Sequence, residues 1–465
     1  MKSLIKDVDK DKIREFYSGR IYPLIIAFLV TLGAVTGFEV MTLTVHAVLL
    51  FGALLLSDSI KPVLISIVTF VYQVSVKNSP QYPNYSDYYL TGWRVYVLSF
   101  VIAIIFAGLV IFSVRNKIFS KVSLKTTPLL IPTLIFCVSM LTSGLFSGEW
   151  VFKNLIFGVA NCLIYLLVFL LVYHGFSKND TSSELASYFS YIAALAGIII
   201  SVQIIHLMLT ADNVFIDGSI NKVAMALGWG IWNLVAVSLA ILIPLIFYGM
   251  YTNKYPWFYF AVATVCYVMS VLTMSRNALV FSTLTYGACV IISCFVGRTR
   301  KAFRIITLAG IVGIIVFAIV FWDKIYMLLG DYFERGFSDN GRFDLWRGAF
   351  SSFLGAPIFG AGFYGLDIDY GQFGFLPHMA HQTVLQLLGS MGIFGICAYG
   401  YYRYKTCLFV FRKPNLLKTM LALSILTLLC ESMLDNFIFN FYPVFYYVVA
   451  LAIICKNVFE EGAGE

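Results

Sequence analysis

Apolar runs of roughly 17 to 25 residues, the length one helix needs to cross a bilayer, recur from residue 21 nearly to the end of the chain. They cover about 21–38, 40–57, 59–76, 92–113, 127–146, 151–174 and 187–210 in the first half, then 227–250, 256–273, 277–296, 303–323, 383–402, 417–434 and 439–456. Backbone amides and carbonyls cannot go unpaired in hydrocarbon, so each run predicts a helix. The expected fold is all-α, a polytopic transmembrane bundle of about 12–14 helices.

The polar stretches between the runs alternate in character. One set holds Lys2, Lys6, Lys10, Lys12, Arg14 and Arg20, then Lys61, then Arg115, Lys117, Lys121 and Lys125. It continues with Lys178, Lys254, Arg298, Arg300, Lys301 and Arg304, then Arg403, Lys405, Arg412 and Lys413, and ends at Lys456. By the positive-inside rule this set is cytoplasmic, and both termini are expected inside. The other set is poor in cations, with Lys77, Arg94, Lys153 and Lys222 as exceptions at its margins.

The organisation expected from this is a cytoplasmic segment 1–20, a helix bundle 21–323, one long extracytoplasmic loop 324–382, C-terminal helices 383–456 and a tail 457–465. Within the loop, Phe343, Trp346, Ala349, Phe350 and Phe353 fall near helical spacing, which predicts an ordered helix there. No period of 20 to 50 residues repeats, and no matching pair of broken helices marks the two halves as a transporter's.

Composition agrees with a lipid environment: 60% of residues are hydrophobic, 12% are charged, and the mean hydropathy is +0.86. The net charge of +8 is spread over short loops instead of forming a basic domain, so nucleic acid is not the expected partner. Nine cysteines lie scattered in or beside apolar runs without a CxxC pair, which indicates neither a zinc site nor a disulfide framework. The charged N-terminal segment lacks the form of a signal peptide, so the first apolar run is expected to remain as a helix.

Outward-facing cations are scarce, which makes the exceptions informative. Arg276 lies in VLTMSRNALVF, in a short hairpin between two apolar helices. It either snorkels to the interface or binds an anion at a cavity mouth. In DNGRFDLWRGAF, Arg342 carries a planar fork suited to phosphate oxygens, and Arg347 is a second candidate for substrate contact. The surrounding Asp331, Glu334, Arg335, Asp339 and Asp344 read equally as a surface ion-pair network, the preferred reading for Arg335.

His381 stands at the start of an outward helix end, where a neutral imidazole can accept a proton from a hydroxyl. The alternative is a His that caps its helix or pairs with Asp367 or Asp369. His378 is equally titratable. His46, His174 and His206 sit in or beside apolar runs, where packed histidines are expected. Downstream of His381, Leu385, Gly392 and Gly395 fall near one helical stripe that admits a close neighbour. Upstream, Pro357, Gly360 and Gly362 predict a tight turn with backbone amides available to a ligand, or a plain glycine-rich loop.

Three blocks, SRNAL at 275–279, GRFDLW with APIFGAGFYG at 341–365, and HQTVLQLLGSMGIFG at 381–395, resemble the O-antigen ligase and polymerase superfamily of bacterial envelope enzymes. The resemblance covers about the last 190 residues. It implies metal-independent glycosyl transfer, with inversion and without a cofactor, from an undecaprenyl diphosphate-linked saccharide at the extracytoplasmic face of the bacterial cell membrane. By the same resemblance Arg276 and Arg342 would contact the diphosphate and His381 would orient or deprotonate the acceptor. Arg347, His378, Gln382, Gly360 and Gly362 are the candidate substrate contacts. The family's usual Asn after the His is Gln382 here, and its frequent acid before the glycine is replaced by Gly389 and Ser390.

The principal expectation is a surface-polysaccharide polymerase whose partners are the lipid-linked saccharide and the bilayer, with a chain-length regulator and a flippase of the same pathway. A ligase of the same fold, moving finished glycan to another envelope acceptor, is the nearest alternative. A polysaccharide-repeat flippase is the alternative of another class.

Overall fold

The computed structural model describes residues 10–75, 89, 91–148, 150–216, 219–322, 341–368 and 378–463. Each of the fourteen apolar runs contains a helix. After the short α1 (Lys10–Ser18) come α2 (Ile21–Thr36), α3 (Glu39–Leu56), α4 (Lys61–Gln73), α5 (Trp93–Arg115), α6 (Leu130–Leu141), α7 (Phe152–Gly175) and α8 (Ser182–Thr210). The second half holds α9 (Trp232–Thr252), α10 (Pro256–Leu272), α11 (Arg276–Phe295), α12 (Arg300–Val320), α13 (Arg342–Gly355), α14 (Thr383–Phe411), α15 (Leu416–Ser432) and α16 (Phe441–Ala463). Among the described residues the extended pairing is limited to a two-residue antiparallel pair, Phe215–Ile216 with Ser219–Ile220, and an isolated bridge between Leu227 and Gly230.

Among the described residues, eight helices are individually long and apolar enough to cross a membrane, and nine if α1 and α2, bent by 58°, count as one span. Helices α4, α6 and α10 are apolar but shorter. The chain is an all-α polytopic bundle. Its centre is α9, whose spanning window is 94% buried, as expected of a helix apolar all round. Helices α5 and α11, with windows 22% and 28% buried, turn most of their apolar surface outward to lipid.

The cation-rich stretches meet at one end of the bundle. Lys418 is 1% exposed there and donates to the carbonyls of Arg412 and Lys413 and to Glu461 at 2.6 Å. Glu460 accepts from the Ser182 amide at 3.1 Å, Arg115 and Arg14 flank Asp58, and Arg20 reaches Asn253. The segments around residues 144, 360, 381 and 435 gather at the opposite end.

Three expectations need correction. Helix α14 does not end near residue 402 but continues to Phe411, so Arg403 and Lys405 lie within it. The loop helix is present as α13, but its buried positions are Ala349 and Ser352, while Phe343 and Phe350 are exposed. The small positions Ala349 and Ser352 face the chain because backbone approaches closely there, leaving no room for rings. The stripe through Leu385, Gly392 and Gly395 is not one continuous helical face: Gly392 breaks the helix, and the atoms nearest a Cβ on Gly395 would be those of Met391 in its own helix.

Candidate active site

The site is built on the break in α14. Gly392 adopts φ 65°, ψ −161°, a conformation closed to residues with a Cβ, and the i to i+4 ladder fails around it. An unpaired backbone group at membrane depth is costly unless protein satisfies it. The stretch Pro357–Gly362 does so strand-fashion. Ile393 N and Phe394 N donate to the carbonyls of Pro357 and Ile358 at 2.8 and 3.1 Å, and Ala361 N and Gly362 N donate to those of Gly389 and Ser390 at 2.8 and 3.0 Å. Ser143 Oγ adds a bond to Ser390 O at 2.8 Å.

This docking explains the glycines. Gly360 has φ 69°, and a Cβ there would overlap the backbone of Ser390 and Met391. Gly362 has φ 92° and would strike the Asn154 amide. The amides of Gly360 and Gly362 donate to Ala356 O and Ser390 O, within a close approach of two chain segments. Asn154, 0% exposed, accepts from the Tyr364 amide at 2.8 Å and ties α7 to the same turn.

Ahead of α14 the chain wraps around Gln386, which is fully buried. Its Oε1 accepts from Ala380 N at 2.7 Å and from Asn436 Nδ2 at 2.9 Å, and its Nε2 donates to His378 O and Ser390 Oγ. His378 is a holder of this turn: its amide donates to Phe363 O at 2.9 Å and its Nδ1 lies 3.1 Å from Leu366 O. Gln382 caps α14, its Oε1 accepting from Leu385 N at 2.6 Å.

His381 follows with φ 48°, the left-handed region that non-glycine residues enter chiefly where surrounding contacts over-determine them. Those contacts aim its ring at the turn between α15 and α16. Nδ1 lies 2.8 Å from Asp435 Oδ1, with the His side chain 19% and the Asp side chain 8% exposed. Among the described residues its ring nitrogen Nδ1 pairs with Asp435 and not with Asp367, and Asp369 lies outside the described residues. Asp435 is fixed in turn by the Asn436 amide at 2.9 Å and by Asn233 Nδ2 at 3.5 Å, while Thr383 Oγ1 donates to Ser432 O at 2.5 Å. A carboxylate accepting from Nδ1–H selects the tautomer whose Nε2 carries the basic lone pair.

The arginines divide. Arg276 is the exposed first residue of α11, and its neighbour Asn277 reaches Leu434 O at 3.5 Å, which brings the start of α11 to the Asp435 turn. Arg342 opens α13. Leu345 and Ala349, one and two turns on, pack with Leu366, Ile368, Ala380 and Leu385, so the face bearing Arg342 is the one turned to the His381 segment. Arg347 pairs instead with Asp344 at 3.7 Å on an exposed face, and among the described residues no contact joins it to the others. Asp331, Glu334, Arg335 and Asp339 lie outside the described residues.

Sequence reading passed over Asp435, Asn436, Gln386, Asn154 and Asn233. The available signal was polar residues placed in or against apolar runs, as in ESMLDNFIFNF, where side chains buried without partners would be costly.

Residues 258–400 match the family model described as O-antigen ligase. The matched stretch contains Arg276, Arg342, Gly360, Gly362, His378 and His381, whereas Asp435 lies beyond it. No curated protein matches the chain.

Proposed function

We propose that this chain, whose long apolar helices suit a multi-pass membrane protein and whose residues 258–400 match the O-antigen ligase family model, is an O-antigen ligase/polymerase-type envelope glycan transferase that works as a surface-polysaccharide polymerase on lipid-linked saccharides. The observation that carries the mechanism is the His381–Asp435 pair at 2.8 Å, set at the end of the bundle opposite the cation-rich loops. That opposite end is extracytoplasmic in this reading.

The acceptor hydroxyl gives its proton to His381 Nε2 as its oxygen bonds to the anomeric carbon. The bond from that carbon to the undecaprenyl diphosphate oxygen breaks, and the electron pair leaves with the diphosphate. Attack from the face opposite the leaving group inverts the centre. Arg276 and Arg342 balance the charge that grows on the diphosphate, and Asp435 stabilises the imidazolium. The acceptor is the next lipid-linked repeat unit. A second reading, transfer of finished glycan to another envelope acceptor, is favoured by the description of the matching family.

The stalled glycan in cells carrying His381→Ala decides between them. A polymerase defect leaves single repeats, on the surface or on the carrier in the outer leaflet. A ligase defect leaves long chains on the carrier, and a flippase defect leaves single repeats in the inner leaflet and overturns the transferase mechanism.

A further inference from the structure

One buried charge has no place in this mechanism. Arg403 lies on α14 beyond the Gly392 break, and its Nε and Nη1 are buried with no hydrogen-bond partner among the described residues. A cation inside a membrane bundle is costly unless something pairs with it. Here the partners are rings: the guanidinium carbon stands 4.7 Å from the ring centre of Tyr399, 4.8 Å from Tyr447 and 5.4 Å from Tyr402. Cation–π contact of this kind strengthens on desolvation. Tyr447 lies roughly 9 Å below the outward start of α16 and roughly 21 Å above Glu461 near its inner end, at 1.5 Å per residue. The cage is therefore within the membrane, beneath the site.

Its members belong to the helices that must meet at the site. α14 carries His381 ahead of its first turn, and α16 follows directly on the segment that holds Asp435. The Tyr447 hydroxyl donates to that of Tyr402 at 2.8 Å, a second tie between α14 and α16. Tyr165, on a π-helical turn at Leu163–Val168 of α7, packs edge-on to Tyr402 at 6.0 Å. Its hydroxyl donates to Ile438 O at 2.7 Å, in the short helical turn that follows Asp435.

We infer that Arg403 is a positioning residue for the transfer: gripped by tyrosine faces, it cross-braces the two helices that hold His381 against Asp435. The inference rests on the proposed role of that pair. It acts through geometry and touches no reacting atom.

The test uses the full chain in lipid nanodiscs, with the lipid-linked saccharide extracted from cells deleted for this gene as donor and acceptor. Arg403→Met should lower kcat by roughly five- to thirtyfold, the factor that about 1–2 kcal/mol represents, with KM unchanged. Arg403→Lys, which keeps a cation over the rings, should restore most of it. In an Asp435→Asn background, Arg403→Met should cost less than twofold more, because the geometry it protects is already without effect. A full, multiplicative loss in that background overturns the inference and leaves the His381–Asp435 reading standing. If Asp435→Asn alone transfers at the wild-type rate, both fall. Should Arg403→Met fail to accumulate, Tyr165→Phe removes only the hydroxyl on Ile438 and should show the same non-additivity; unchanged kcat or full additivity overturns the inference.

Discussion

His381 and Asp435 are separated by the whole of α14 and α15 in sequence and by 2.8 Å between Nδ1 and Oδ1 in the fold. The pairing gives the imidazole a defined tautomer, so its loss should act on turnover and not on substrate capture. Asp435→Asn, which keeps shape but donates where the carboxylate accepts, should lower kcat by about 10²- to 10⁴-fold at normal protein level. Steady-state kinetics on the extracted lipid-linked saccharide checks this, and a change confined to KM would contradict it.

The break in α14 sets a sign test for glycine replacement. Gly360→Ala would force a Cβ into the Ser390–Met391 backbone at φ 69°, costing at least about 1–3 kcal/mol of strain. Gly400→Ala, in a continuous helix with open space around it, should stabilise by about 0.5–1 kcal/mol. Thermal unfolding in detergent should move in opposite directions for the two.

Arg276 and Arg347 are predicted to differ although both are exposed. Arg276→Ala should reduce transfer strongly and Arg276→Lys less so, because lysine keeps the charge and loses the fork. Arg347→Ala removes only a surface pair with Asp344, worth about 0–1 kcal/mol, and should leave the rate within about twofold. Equal losses at the two positions would place Arg347 in the site after all.

The two ends of the bundle should label differently. Single cysteines at Asn213 and Ser351, in a cysteine-free background, should react with an impermeant thiol reagent in intact cells, and those at Ser120 and Thr299 should not. Reaction at both sets alike would remove the extracytoplasmic assignment of the His381 site.

The fold was legible because its signal is local: each apolar run predicts its own helix, and each of the fourteen runs contains one. The loop helix was legible from spacing, but not its buried face, since Ala349 and Ser352 are selected by a neighbouring backbone that spacing does not reveal. Arg276, Arg342 and His381 stood out as polar residues on a cation-poor face. Asp435 did not, because its partner is remote in sequence and nothing local distinguishes it from Glu431. The break at Gly392 was missed because a glycine in an apolar run reads equally as a packing position, and what permits the break is the distant stretch Pro357–Gly362.

The central claim is that His381 accepts the acceptor's proton in a glycosyl transfer, and the most direct measurement is transfer by purified chain in nanodiscs supplied only with the extracted lipid-linked saccharide. Wild-type protein should release undecaprenyl diphosphate and lengthen the glycan, while His381→Ala, equally folded, should do so about 10²- to 10⁴-fold more slowly. Release and lengthening by His381→Ala at the wild-type rate would contradict the account.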